Sequence, residues 1–224
     1  MSAPPAALCA VLFDLDGTLV DTAPDLAAAV NRLLRDEGRA ALPESALRPL
    51  VSKGGRALLA RAFPDLADAE REILLPRFLA LYGEALAVAS APYEGVEALL
   101  AAIESRGWRW GIVTNKPEGL ARGVVAGMGW ATRCGVLVGG DTLPVRKPDP
   151  APLLLAAERL GLPASACLYV GDDARDIEAG NAAGMASVAA LWGYREAHED
   201  PGTWPAVAHC DSAEQVGRWL AGAA

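Results

Sequence analysis

Short apolar runs that stop abruptly at Gly, Asp, Asn or Thr recur along this chain, separated by longer segments rich in Ala, Leu, Glu and Arg. The runs are too short for ordinary helices, and their alternation with helix-period segments is the pattern of a parallel sheet covered by crossover helices. Strands are expected at residues 9–13, 110–113, 136–138, 167–170 and 187–191, with 207–210 a weaker sixth. In open sheets of this α/β class, ligands bind outside the carboxyl ends of the strands, which is where the polar punctuation falls.

Residues 14–109 separate the first strand from the second, far more than one crossover helix needs. Leu26, Val30, Leu33 and Leu34, then Leu58, Leu59 and Phe63, recur at helical spacing within that stretch. It reads as an inserted helical subdomain over the sheet. Its exit lies near Ala91 and Pro92, because proline restricts the residue before it and a new helical pattern then runs through Leu99, Leu100 and Ile103. The expected division is a catalytic core of residues 1–19 and 92–224, with a helical cap of residues 20–91.

The net charge of -8 and a pI near 4.8 argue against nucleic acid and anionic membrane as partners. No uncharged stretch reaches the roughly 18 to 20 residues needed to span a bilayer. No basic residue precedes the apolar run that ends at Phe13, so no signal peptide is expected. Cys9, Cys134, Cys167 and Cys210 are scattered outside any C-x-x-C pair, which suits buried thiols in a reducing, cytoplasmic setting better than zinc or disulfides. His198 and His209, the two histidines, fall outside the motifs below and read as surface or loop residues.

Four strand ends carry the chemistry. Asp14-Leu15-Asp16-Gly17-Thr18 follows the first strand, and residues two apart in an extended chain project to one side. Two carboxylates that close repel by roughly 1 kcal/mol at about 4 Å in water and about 4 kcal/mol at an effective dielectric of 20, so a cation or shared proton is expected between them. Thr114 and Asn115 end the second strand with groups that donate hydrogen bonds to an oxyanion. Lys147, stiffened by the prolines at 148 and 150, is a fixed point charge suited to a phosphoryl group. Asp172, Asp173 and Asp176 form a dense hard-oxygen cluster that suits Mg2+. Taken singly these are a turn, a helix cap and a surface lysine; four such segments in this order make those readings improbable together.

In that order and across nearly the whole chain, the four segments resemble the motifs of the haloacid dehalogenase superfamily. The resemblance implies a doubly wound α/β core with an inserted helical cap. An acid at Asp16 resembles the phosphatase and phosphomutase branches. The resemblance further implies Asp14 as nucleophile, Asp16 as general acid and base, and Mg2+ held by Asp14, the Asp16 main-chain carbonyl and Asp172. Thr114, Asn115 and Lys147 would hold the phosphoryl oxygens, with Asp173 and Asp176 behind the metal ligands. The activity implied is a Mg2+-dependent phosphomonoesterase; a phosphomutase and a non-catalytic binding protein are the alternatives.

The substrate is read from weaker signals. Residues 51–56 combine Lys53 and Arg56 with Gly54 and Gly55, a segment able to close over a leaving group and bind a carboxylate, or equally a solvated helix start. Similar segments occur in phosphoglycolate phosphatases and in the N-acetylmuramic acid 6-phosphate phosphatases of cell-wall recycling. Trp192-Gly193-Tyr194, Glu199-Asp200-Pro201 and Trp204 resemble the latter branch, although aromatic residues in such a loop usually pack a core edge. A small carboxylated phosphate ester is the expected partner, N-acetylmuramic acid 6-phosphate ahead of 2-phosphoglycolate.

Overall fold

The computed structural model describes Pro4 and residues 8–222. Its main sheet has six parallel strands, β1 (Ala10–Phe13), β4 (Arg109–Val113), β5 (Leu137–Val138), β6 (Cys167–Gly171), β7 (Ala186–Ala190) and β8 (Ala208–Cys210), in the spatial order β5-β4-β1-β6-β7-β8. All six expected strands are present, within a residue or two of their expected ends. The weaker sixth is β8, and His209 therefore sits within a strand rather than in a loop.

Successive strand residues face opposite sides, so each strand feeds two cores. Val11, Phe13, Ile112 and Val170 pack with α4 (Val96–Ser105), α5 (Glu118–Gly127) and α8 (Ala213–Ala221). Leu12, Val113 and Tyr169 pack with α6 (Ala151–Arg159) and α7 (Ala174–Ala182) on the other face. The chain winds outward from β1 to β4 and β5, then returns to β6 on the opposite flank of β1. That reversal opens a crevice at the carboxyl ends of β1, β4 and β6, the topological switch point of a doubly wound sheet.

Of the helices between β1 and β4, three, α1 (Ala23–Asp36), α2 (Gly55–Ala62) and α3 (Asp68–Gly83), have their own core. The apolar spacing of α1 buries Leu26, Val30, Leu33 and Leu34 on one stripe, against Leu58, Leu59, Phe63 and Phe78. The two chain crossings to this unit run side by side as a short antiparallel pair, β2 (Val20–Asp21) with β3 (Ala91–Pro92). Neither two-residue strand is legible as a strand in the sequence, because pairing of such short segments depends on where the rest of the chain brings them.

A buried carboxylate ties the two crossings together. Asp25 accepts hydrogen bonds from the backbone N–H groups of Val88, Ala89 and Ser90 at 2.8–3.0 Å and from the Ser90 hydroxyl at 2.6 Å. No helix among the described residues is long and apolar enough to cross a membrane. Of the cysteines, Cys167 and Cys210 are buried, whereas Cys134 is half-buried and Cys9 exposed, which corrects the expectation of four buried thiols.

Removing the Asp25 carboxylate strands three backbone donors at the crossing. Asp25→Ala is expected to lower unfolding stability by about 2–3 kcal/mol, read as a fall in the midpoint of urea denaturation.

Candidate active site

The crevice at the strand ends is closed over by the three-helix unit to make a cavity of about 340 Å3. Asp14, Asp16, Thr114, Asn115, Lys147, Asp173 and Asp176 line its floor, and Lys53, Gly54 and Arg56 line the side formed by the helices. The four sequence segments therefore converge on one space.

Asp14 continues β1, its Oδ1 accepting from the Leu15 N–H at 2.8 Å and lying 3.0 Å from Lys147 Nζ. Lys147 is almost fully buried and also bonds Asp176 Oδ1 at 2.7 Å and the Tyr169 hydroxyl at 2.7 Å. Burial works against its charge, but Asp14 and Asp176 outweigh that and hold its pKa above the ordinary lysine value. Asn115 donates its amide to the Lys147 carbonyl at 3.0 Å, so it fixes the main chain behind the ammonium as well as facing the cavity. Thr114 is buried, with its hydroxyl accepting from the Lys116 N–H at 3.2 Å.

Asp16 lies on the same loop, but its carboxylate turns to different partners. Its Oδ1 accepts from the Thr22 hydroxyl at 2.5 Å and from Lys116 Nζ at 2.8 Å. Lys116 in turn lies 4.5 Å from the centre of the Tyr82 ring, a cation–π contact from α3. Sequence reasoning gives Lys116 no role or partner, because a lysine after Thr-Asn carries no local mark of the acid it will meet.

Asp14, Asp172 and Asp176 each present an oxygen within 4.8 Å of the others, and all three are buried. Burial, together with the nearby charges of Asp14 and Asp176, pushes the Asp172 carboxyl well above the usual carboxylate range. Asp176 is pushed up to about 6, again chiefly by burial, with Lys147 opposing. Three converging carboxylates with one ammonium among them are short of positive charge, and a hard divalent cation fits that donor set. The Asp16 carboxylate is not one of the three.

Asp173 has a different occupation. It is the N-cap of α7, accepting from the Arg175 N–H at 3.0 Å while its own N–H donates to Asp176 Oδ2 at 3.0 Å, a reciprocal capping box. Burial would raise its pKa, but the Arg175 guanidinium and Lys53 ammonium hold it far below the ordinary value. Lys53 bridges Asp173 at 2.7 Å and Glu199 at 2.5 Å, while Arg56 pairs with Glu72 on an exposed face.

The aromatic loop after β7 does not line the cavity; it buttresses it. Tyr194 donates its N–H to Asp172 Oδ2 at 2.9 Å, and its hydroxyl donates to Asp21 at 2.6 Å and accepts from the Ala23 N–H at 3.0 Å. Trp192 donates its indole N–H to the Thr18 carbonyl at 3.0 Å. Asp172 is completed by the Thr18 hydroxyl at 3.0 Å and by the Ser52 hydroxyl, reaching down from the helical unit, at 2.7 Å. Gly193 is the reason the loop fits: a methyl at its Cα would land on the Asp172 side chain. Gly17, with φ +86°, meets Asp172 under the same restriction.

The family model for haloacid dehalogenase-like hydrolases matches residues 9–184, and so spans β1 through α7. The chain belongs to the haloacid dehalogenase-like hydrolases. It is 55% identical over 197 residues to a phosphoglycolate phosphatase of Xanthomonas campestris, covering 88% of this chain and 89% of that one. It is 46% identical over 200 residues to an N-acetylmuramic acid 6-phosphate phosphatase of Pseudomonas aeruginosa, covering 89% and 88%. A solved structure from Haemophilus somnus, named a predicted phosphoglycolate phosphatase, superposes with a TM-score of 0.85 at 29% identity, covering 96% of this chain and 98% of that one. This haloacid dehalogenase-like hydrolase is accordingly a phosphatase, a phosphoric monoester hydrolase acting on small phosphate esters.

Gly193→Ala is expected to displace Asp172 and to lower p-nitrophenyl phosphate turnover on the order of 100-fold, since misplacement of about 1 Å costs that much in a preorganised site. Retained far-ultraviolet circular dichroism would show that the loss is local to the site.

Proposed function

We propose that this phosphatase is a Mg2+-dependent phosphomonoester hydrolase that works through an aspartyl phosphate on Asp14, with N-acetylmuramic acid 6-phosphate as its substrate. The segment of residues 20–91 serves as its cap. In the first step an Asp14 carboxylate oxygen attacks phosphorus, and Asp16 gives its proton to the departing sugar oxygen. In the second, water attacks the same phosphorus, Asp16 takes the water's proton, and the Asp14 carboxylate is released together with phosphate. Thr114 and Lys147 hold the phosphoryl oxygens in both steps, Lys147 being fixed between Asp14 and Asp176. Asp14, Asp172 and the Asp16 main-chain carbonyl would hold Mg2+, which supplies the positive charge that lets an anionic nucleophile approach an anionic ester. Asp176 and Asp173 stand behind them, the first orienting Lys147 and the second capping α7.

The observation that carries the substrate is the shape and lining of the cavity. Leu58, Leu75, Phe78, Leu79 and the Tyr82 ring form an apolar wall on the cap side. A volume of about 340 Å3 lies in the range of pockets for ligands of roughly drug size. A two-carbon glycolate would leave that wall wet, whereas the ring, acetamido methyl and lactyl methyl of an acylated amino sugar would cover it. The second reading, 2-phosphoglycolate, is supported by the Xanthomonas relative at 55% identity.

Three measurements test these readings. N-acetylmuramic acid 6-phosphate is expected to exceed 2-phosphoglycolate in kcat/KM by at least about tenfold, equivalent to about 1.4 kcal/mol in the transition state; the reverse order would establish the second reading. Asp14→Asn is expected to abolish phosphate release from either, and an active variant would remove the aspartyl phosphate from the scheme. Excess chelator is expected to stop turnover, and Mg2+ at about 100 times its Kd to raise unfolding stability by about 2.7 kcal/mol, a readout independent of activity.

A further inference from the structure

The cavity is lined by six cationic side chains: Lys53, Arg56, Lys116, Arg146, Lys147 and Arg175. Five of them already face a carboxylate. Lys147 is held by Asp14 and Asp176, Lys116 by Asp16, Arg175 by Asp173, Lys53 by Asp173 and Glu199, and Arg56 by Glu72. Among the described residues Arg146 alone of the six has no acidic partner within ion-pair distance.

We infer that Arg146 is the specificity-determining residue that receives the carboxylate of the substrate. Resting on the reading that the substrate carries a carboxylate as well as a phosphate, this inference adds the residue that recognises it. A cation whose charge and donors are already spent on a carboxylate draws a further one less strongly, and the buried pairs at Lys147 and Lys116 are the most costly to rearrange. Arg146 has no such exchange to make. Its planar fork of N–H donors matches a carboxylate with two parallel hydrogen bonds, which a lysine cannot do.

The backbone fixes where that fork starts. The Arg146 carbonyl accepts from the Asp149 N–H at 3.0 Å, and the next carbonyl, that of Lys147, accepts from the Asn115 amide at 3.0 Å. The adjacent side chains then divide the labour: Lys147 is buried among the acids and Arg146 is exposed at the rim. Asp141, an acid on the same rim, has its Oδ1 turned to the Glu118 N–H at the start of α5, at 2.7 Å, rather than to Arg146. The phosphoryl end and the carboxylate end of one substrate thus fall to consecutive residues of one fixed loop.

The test uses two pairs of phosphate esters that differ in the carboxylate. N-acetylmuramic acid 6-phosphate is set against N-acetylglucosamine 6-phosphate, the same sugar without its lactyl ether, and 2-phosphoglycolate against ethyl phosphate. Arg146→Gln is expected to lose about tenfold to a hundredfold more kcat/KM on the carboxylated member of the preferred pair than on its carboxylate-free counterpart, chiefly through KM. Arg146→Lys is expected to recover part of that difference.

Equal losses on both members of both pairs, or a selective loss produced by Arg56→Gln and not by Arg146→Gln, would overturn the assignment. The substrate reading fails separately. If the selective loss appears only with the 2-phosphoglycolate pair, Arg146 stands and the amino-sugar substrate falls. If the wild-type enzyme prefers the muramic acid ester yet Arg146→Gln treats that pair alike, the substrate stands and Arg146 falls. A wild-type enzyme indifferent to the carboxylate in both pairs overturns both.

Discussion

Asp14 and Asp176 both press on the Lys147 ammonium, and Asp172 joins the two acids within 4.8 Å with no ammonium of its own. Like charges at that spacing in a buried place cannot all be ionised without compensation, and much of the architecture serves to supply it. Thr18, Ser52 and the Tyr194 N–H all donate to Asp172, and Arg175 with Lys53 neutralises Asp173 next door. Three of the chain's acids thus meet at one edge of the sheet, as a donor set that fits a cation.

The same donors join parts of the chain that are far apart in sequence. Ser52 and Lys53 come from the helical unit, Thr18 from the loop after β1, and Tyr194 and Glu199 from the loop after β7. Tyr194 also inserts its ring among the helices of the three-helix unit and hydrogen-bonds Asp21 and Ala23 at the crossing. Closing the helical unit on the core and fixing the acid cluster are therefore one event, because the hydrogen bonds that do the first also do the second.

Much of the sheet was legible because strand length, alternation and polar termination are local properties. Cys167–Gly171 is apolar and buried on both faces, and it ends where Asp172 begins. Three of the four segments with chemical groups were legible for the same reason, since Asp14, Thr114 and Asp172 stand immediately beyond β1, β4 and β6; Lys147, nine residues past β5, was marked instead by the prolines that follow it. What the sequence concealed is pairing at a distance. Asp25 looks like an ordinary first-turn acid of α1, and only the fold brings it to the N–H groups of residues 88–90. Lys53 and Arg56 read as a pair of available cations until Asp173, Glu199 and Glu72 arrive beside them. The aromatics of the Trp192–Tyr194 turn pack a core edge as such residues usually do, whereas the close approach of Gly193 to Asp172 had no mark in the sequence.

The placement of that turn has a consequence for the order in which the protein is made. A chain that has been synthesised only as far as Gly193 already contains Asp14, Asp172, Asp176 and Lys147, yet lacks the N–H that steadies Asp172 and the ring that anchors the helices. The nascent polypeptide therefore holds its full set of reactive groups, from Asp176 up to Gly193, without the buttress that makes them a site, and competence arrives only with that turn.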